Sequence, residues 1–226
     1  MKYDAIVSLT TWKGRINDPR LPKVIFRLLQ QETKFKYKVV LVLSREEFGD
    51  NYEVPERIAL MTEDERFEIL WTDKNTKALK KLDPTMEKYP DTPIITTDDD
   101  ILLKKHAVDM MIQAHIMHPE AILGTVCGAF YPPICRVGNL RLFPPHSLAD
   151  IPTEYFSTYF QNLHDDEWNG IRAMVKGTKH LKVADKLIEN ISYYGQDNSF
   201  RKEYNKFRFK PAYDKFKKEH PEYNLK

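Results

Sequence analysis

The sequence predicts an α/β fold, a mostly parallel sheet flanked by helices, followed by a basic, aromatic helical tail. Three observations carry that expectation. Strand-like apolar runs alternate with helix-spaced apolar residues through the first hundred positions. The densest acidic motif, Asp98-Asp99-Asp100, directly follows one of those runs. From Asn198 onward the composition turns basic and aromatic. A length of 226 residues suits one large domain, taken as residues 1–197, with an appendage at 198–226.

The elements follow in order. Ala5-Ile6-Val7-Ser8-Leu9 reads as a buried strand ending in Thr10-Thr11. After a loop over Trp12 to Pro19, residues Val24, Ile25, Leu28 and Leu29 recur at helical spacing, and Val39 to Leu43 is a β-branched run. Together these make a βαβ unit. Phe67 to Trp71 supplies a third strand and Pro93 to Thr97 a fourth, with a short helix at Pro84 to Lys88 between them. Helical crossovers between strands imply a largely parallel sheet. Downstream, Ala107, Met111 and Ala114 share a helical face, and Ile122 to Phe130 reads as a strand interrupted by glycines. Prolines punctuate Tyr131 to Thr153, which reads as loop and short strand. A helix begins near Asp165 or Asp166, with Trp168, Ile171 and Val175 on one face.

Composition excludes several classes. With 42% hydrophobic and 30% charged residues the chain is not disordered or low-complexity. The 35 basic and 33 acidic side chains leave +2, too little for nucleic-acid binding over the whole surface. The longest uninterrupted apolar run, Val39 to Leu43, is far short of the roughly 20 residues that span a bilayer. The opening Met1-Lys2-Tyr3-Asp4 precedes only Ala5 to Val7, which is no signal-peptide core, so a cytoplasmic location is expected. Cys127 and Cys135 lack partners for a metal site and read as reduced thiols.

Three carboxylates at the end of a buried strand need a partner. In open α/β sheets ligands bind beyond the carboxyl ends of the strands, and clustered hard oxygens suit Mg²⁺ or Mn²⁺ shared with a phosphate. A solvated acidic turn is the plainer alternative. The second acidic group, Asp165-Asp166-Glu167, has a helix-capping explanation, yet one acidic cluster holding metal while the other accepts a proton is the division of labour a group transfer requires. His146, after the rigid Pro144-Pro145, is a candidate third metal ligand. Arg15, Lys80 and Lys81 flank the same predicted crevice and are candidates for diphosphate contact, although each lysine taken singly reads as a solvated surface charge.

The order Ile6-Val7-Ser8-Leu9-Thr10-Thr11 with Arg15, then Leu79-Lys80-Lys81-Leu82, Tyr89-Pro90-Asp91, Asp98-Asp99-Asp100, Pro144-Pro145-His146 and Asp165-Asp166-Glu167-Trp168 resembles bacterial GT-A glycosyltransferases of the family 2 type. These build capsule, O-antigen or lipooligosaccharide, and the resemblance covers roughly Tyr3 to Val183. It implies a UDP-sugar donor, with Thr10 and Asp73 near the base and ribose. It also implies that Asp98, Asp99 and Asp100 form the motif binding metal and donor diphosphate, and that Asp166 matches the catalytic carboxylate, with the neighbouring Asp165 and Glu167 as alternatives. The acceptor is then a glycan or lipid-linked glycan hydroxyl. Two departures stand out: Trp12-Lys13-Gly14-Arg15 replaces the usual Phe and Pro before Arg, and Glu167 replaces an apolar residue.

Two other functions fit parts of the sequence. Asp98-x-Asp100 after an apolar strand also fits a haloacid-dehalogenase-like phosphatase, but that nucleophile follows the first strand of its domain and Leu102 stands where Thr or Val is usual. An inactive glycan-binding scaffold is the other, disfavoured because every acidic position is filled. In the tail, nine basic residues against four acids give a local +5, so the remainder carries −3. Phe200, Tyr204 and Phe207 follow helical spacing, and Tyr213 and Phe216 repeat it. Such a segment either lies peripherally on an anionic membrane or packs its aromatics on the domain.

Overall fold

A computed structural model describes residues 3–125, 140–183, 188–189 and 208–225. Seven strands form the main sheet: β1 (Ala5–Thr10), β2 (Tyr37–Ser44), β3 (Phe67–Thr72), β4 (Ile94–Thr97), β6 (Ile122–Gly124), β7 (Leu140–Phe143) and β8 (His180–Lys182). Their spatial order is β3-β2-β1-β4-β7-β6-β8. Strands β3, β2, β1 and β4 are mutually parallel, β7 runs against both β4 and β6, and β6 pairs in parallel with β8. A two-stranded ribbon joins β5 (Leu102–Leu103) to β9 (Ile188–Glu189).

Burial explains why these segments are strands. On β1 the alternate residues Ala5, Val7 and Leu9 enter one core, while Ile6 enters another on the opposite face. A strand covered on both faces reads as a continuous apolar run, which is why β1 and β2 were visible in sequence. Helix α1 (Leu21–Leu29) buries Val24, Ile25, Leu28 and Leu29, as its spacing predicts. It shares the first face with α5 (Ala107–Met117). The short helices α2 (Arg45–Phe48) and α3 (Glu56–Ala59) lie between β2 and β3. The other face is covered by α4 (Asp83–Lys88), through Met86, and by α7 (Asp165–Lys176), through Ala173.

A third core is aromatic. It joins α6 (Thr153–Phe160), α7 and the last helix, α8 (Phe209–Glu219). Tyr213 and Phe216 of α8 are fully buried; the Phe216 ring meets Tyr159 at 5.2 Å, Trp168 at 5.8 Å and Tyr155 at 5.8 Å. This corrects the membrane expectation for those two rings, which are unavailable to lipid; the lysines of α8 stay at the surface. No helix among the described residues is long and apolar enough to cross a membrane. The strand expected from Ile122 is described to Gly124, and its continuation to Phe130, both cysteines and the aromatic residues Phe200 to Phe207 lie outside the described residues.

Phe216→Ala should lower the unfolding free energy by about 3–5 kcal/mol in a denaturant titration, the usual cost of deleting a buried aromatic ring. A loss below about 1 kcal/mol would show that α8 is not held by this ring.

Candidate active site

The chain builds β1, β2 and β3 outward in one direction, then returns to lay β4 on the other side of β1. Neighbouring strands whose connections depart in opposite directions leave a crevice at their carboxyl ends. Thr10 and Thr11 end β1, Asp98, Asp99 and Asp100 follow β4, and the Thr11 hydroxyl donates to Asp99 Oδ2 across the gap at 2.6 Å. A cleft opens here, lined by Thr10, Trp12, Arg15, Asn75, Lys80 and Asp98 among others. The loop after β1 is wound tightly, with the amides of Arg15 and Ile16 both donating to the Trp12 carbonyl. A Cβ on Gly14 would collide with the Trp12 indole, so glycine is what lets that ring fold over its own loop and line the cleft.

The aspartate triad is divided between two buried cations. Arg15 Nη1 reaches Asp99 Oδ1 at 2.6 Å and Asp100 Oδ2 at 3.2 Å. Lys81 Nζ reaches Asp98 Oδ1 at 2.8 Å and Asp165 Oδ2 at 3.6 Å. Lys81 therefore bridges the two acidic clusters. Lys80, on the same 3₁₀ turn (Lys77–Lys81), donates to Glu47 Oε2 at 2.7 Å and Asn75 Oδ1 at 3.1 Å. Both lysines are buried, at 2% and 6% exposure, which overturns their reading as solvated surface charges.

These environments shift the titrations. Burial raises Asp99, outweighing Arg15 and Thr11. Burial and then the negative charges of Asp98 and Asp99 push Asp100 up to about 6 against Arg15. Burial opposes the charge on Asp98 too, but Lys81, Arg15 and Arg141 prevail and hold it below the usual range. For Lys81, burial favours loss of the proton, yet Asp98, Asp165 and Asp166 more than reverse this and raise it. Asp166 is pushed up to about 7 by burial, with Asp165 and Glu167 adding to the rise and Arg141 and Lys81 opposing it.

The second cluster opens α7. Its first turn follows a bent approach in which Gln161, Asn162 and His164 all have positive φ. Asp165 faces Lys81, Asp166 Oδ1 lies 3.1 Å from Arg141 Nη2, and Glu167 is buried beside His164 at 3.4 Å. The helix thus sends its three acids to different partners.

Two candidates fall elsewhere. Because β7 is antiparallel to β4, the residues after Phe143 emerge at the amino edge of the sheet. His146 is therefore exposed beside Asp91, 3.3 Å away, and is not brought to the triad as a metal ligand. That edge has the larger hollow, about 810 Å³ against about 200 Å³, but none of the aspartates; charge, not volume, locates the site. Asp73 follows β3 at the correct edge, but it is exposed and does not line the cleft; Asn75 stands there instead. Sequence reasoning missed Glu47, Asn75 and Arg141. Glu47 carried the one available signal, an acid just past the carboxyl end of an apolar strand.

Among the described residues no three histidine, cysteine or acidic side chains are arranged to cage a metal ion. Asp98 Oδ2 and Asp100 Oδ1 accept no hydrogen bond from a described residue, and both residues line the cleft. Two carboxylate oxygens fit an ion whose other ligands are phosphate and water, the usual arrangement for Mg²⁺ in phosphate-transfer sites.

No protein-family model and no curated protein matches the sequence significantly. Solved structures do match. A mannosyltransferase from Pyrobaculum calidifontis, solved with GDP-Man and Mn²⁺, aligns with TM-score 0.56 and 15% identity over 94% of this chain and 67% of its own. S. aureus TarS residues 1–349, solved with UDP, aligns with TM-score 0.54 and 13% identity over 82% of this chain and 59% of its own. The fold is thus the GT-A-like α/β fold, a mostly parallel sheet flanked by helices. This chain spans about two thirds of the first of these structures and less of the second.

Asp100 binds its proton more tightly in the folded chain, at about 6, than at the ordinary 3.8. Between those values the folded state holds more protons than the unfolded one, so this group's effect is to lower stability as pH rises through that window. Asp100→Asn is therefore expected to melt above the wild type near pH 8 in metal-free buffer, with the advantage shrinking as pH falls toward about 4. Equal melting temperatures across that range would show that the carboxylate is not crowded.

Proposed function

We propose that this chain is a nucleotide-sugar-dependent glycosyltransferase that moves a hexose from a UDP-sugar to a hydroxyl of a surface-glycan acceptor. The observation that carries the reading is the convergence of the aspartate triad, Arg15, Lys80 and Lys81 on one switch-point cleft, with the second acidic cluster joined to it through Lys81. The nucleotides bound by the two similar proteins support a donor of that class, and the Mn²⁺ bound by one of them supports a divalent ion.

In this reading Trp12, Thr10 and Asn75 receive the nucleoside end of the donor. Asp98 and Asp100 would hold Mn²⁺ or Mg²⁺, which supplies positive charge to the diphosphate when bound. Arg15 and Lys81 stand beside the same carboxylates, where their charges favour the leaving diphosphate as the glycosidic bond breaks. Asp166 takes the proton of the attacking acceptor hydroxyl. A carboxylate poised near neutrality is well matched to that task, and Asp166 is not paired with Lys81 as Asp165 is.

The direct test is UDP release from a panel of UDP-sugars with Mn²⁺; no hydrolysis or transfer with any nucleotide sugar overturns the reading. Asp100→Asn should abolish transfer and weaken UDP binding in Mn²⁺ while the chain stays folded. Asp166→Asn should leave donor affinity nearly unchanged and reduce turnover by roughly 10² to 10⁴, the scale of losing a general base. If Asp166 merely starts a helix, asparagine serves equally well and activity survives.

A further inference from the structure

Arg141 sits in the middle of the sheet and is fully buried. Alternation along β7 sends Leu140 and Leu142 into the first core and Phe143 into the second, so Arg141 points with Phe143 toward the α7 face, its guanidinium 5.3 Å from the Phe143 ring centre. Opposite it on β6 is Gly124, which has no side chain to compete for that space. Nη2 comes within 3.1 Å of Asp166 Oδ1, yet Nε, Nη1 and Nη2 donate no hydrogen bond to any described residue. Burying a guanidinium with its donors unspent is costly, and a leucine would fill the position more favourably. The arginine's tie to its surroundings is charge: Asp166 is the carboxylate it touches, and its charge also reaches Asp98.

We propose that Arg141 is a positioning residue for Asp166, its sheet-anchored cation fixing the carboxylate at the start of α7 and keeping it available as a proton acceptor. The proposal rests on the reading of Asp166 given above. The charged groups around that carboxyl are Arg141 from β7, Lys81 from the 3₁₀ turn, and Asp165 and Glu167 from its own helix, with Asp98 beyond Lys81. His180 on β8 also neighbours Arg141, but burial and then the arginine's charge hold it down at about 4, so it brings no positive charge near neutral pH. Arg141 and Lys81 are thus the two groups opposing burial at Asp166; Lys81 is paired with Asp98 and Asp165, whereas among the described residues Arg141 is paired with Asp166 and acts on Asp98 from farther off.

Carboxyl NMR titration of the full chain labelled with ¹³C-aspartate tests this without substrate. The wild type should show a carboxyl titrating near neutrality that disappears in Asp166→Asn. Arg141→Gln should move that midpoint upward by about one to three units, and Arg141→Lys should restore most of it. In parallel, the acid limb of kcat should move upward by the same amount in Arg141→Gln, with the donor KM within about twofold and activity recovering at alkaline pH. A folded Arg141→Gln variant whose midpoint stays at the wild-type value overturns the proposal, as does an Arg141→Lys variant displaced as far as Arg141→Gln. Arg141→Met, which fills the space without charge, carries the test if the glutamine variant does not fold. A shifted midpoint in a chain that transfers no sugar would leave Arg141 holding Asp166 and remove only the assigned reaction.

Discussion

Five acidic side chains crowd the carboxyl edge of one sheet, and what permits them to coexist is a buried lysine at the wall of the cleft. Lys81 lies between Asp98 and Asp165, satisfying both clusters with one ammonium. Arg15 does the same for Asp99 and Asp100. Removing either cation would leave like charges facing one another where burial already disfavours ionisation. The loop after β1, the turn before α4, the end of β4 and the start of α7 are therefore tied into one electrostatic unit, and their relative positions follow from where the two cations can reach.

Much of the triad's side of this unit was legible in the sequence. Strands β1 and β2 are buried on both faces and β3 and β4 carry short apolar runs, so their signal is local, and Asp98 to Asp100 could be placed at a strand end by counting along the chain. What could not be read was set by pairing direction. Nothing in Leu140 to Phe143 says that β7 runs against β4; a parallel strand would have delivered Pro144-Pro145-His146 to the aspartates, and the antiparallel one carries it to the opposite edge. Arg141 was invisible for a related reason: one arginine between leucines reads as the wet face of an edge strand until the layer that covers it is known. The burial of Lys80 and Lys81 likewise depends on partners from distant parts of the chain, Glu47 and Asp165.

The cations do not carry equal weight at each aspartate. At Asp98 the charges of Lys81, Arg15 and Arg141 prevail over burial, whereas at Asp99 burial outweighs Arg15 and at Asp100 burial and the neighbouring carboxylates do. Around Asp166 burial wins over Arg141 and Lys81, leaving the carboxyl near its own midpoint at neutral pH. Asp98 is thus the member of the triad held most firmly as an anion, and the Lys81 ammonium joins it to the second acidic cluster.

The two acidic clusters are also far apart along the chain. Contacts that shape the cleft close within the first hundred residues, the Lys81–Asp98 pair across 17 positions and the Thr11–Asp99 bond across 88. Arg141 and Asp166 come later in the chain. Domains fold as units, so these early pairs are completed only when α7 arrives to lay Ala173 on the sheet and Asp165 beside the Lys81 ammonium. A chain interrupted before Asp165 would leave that ammonium with Asp98 as its one paired carboxylate among the described residues, and the second face of the sheet without its α7 cover.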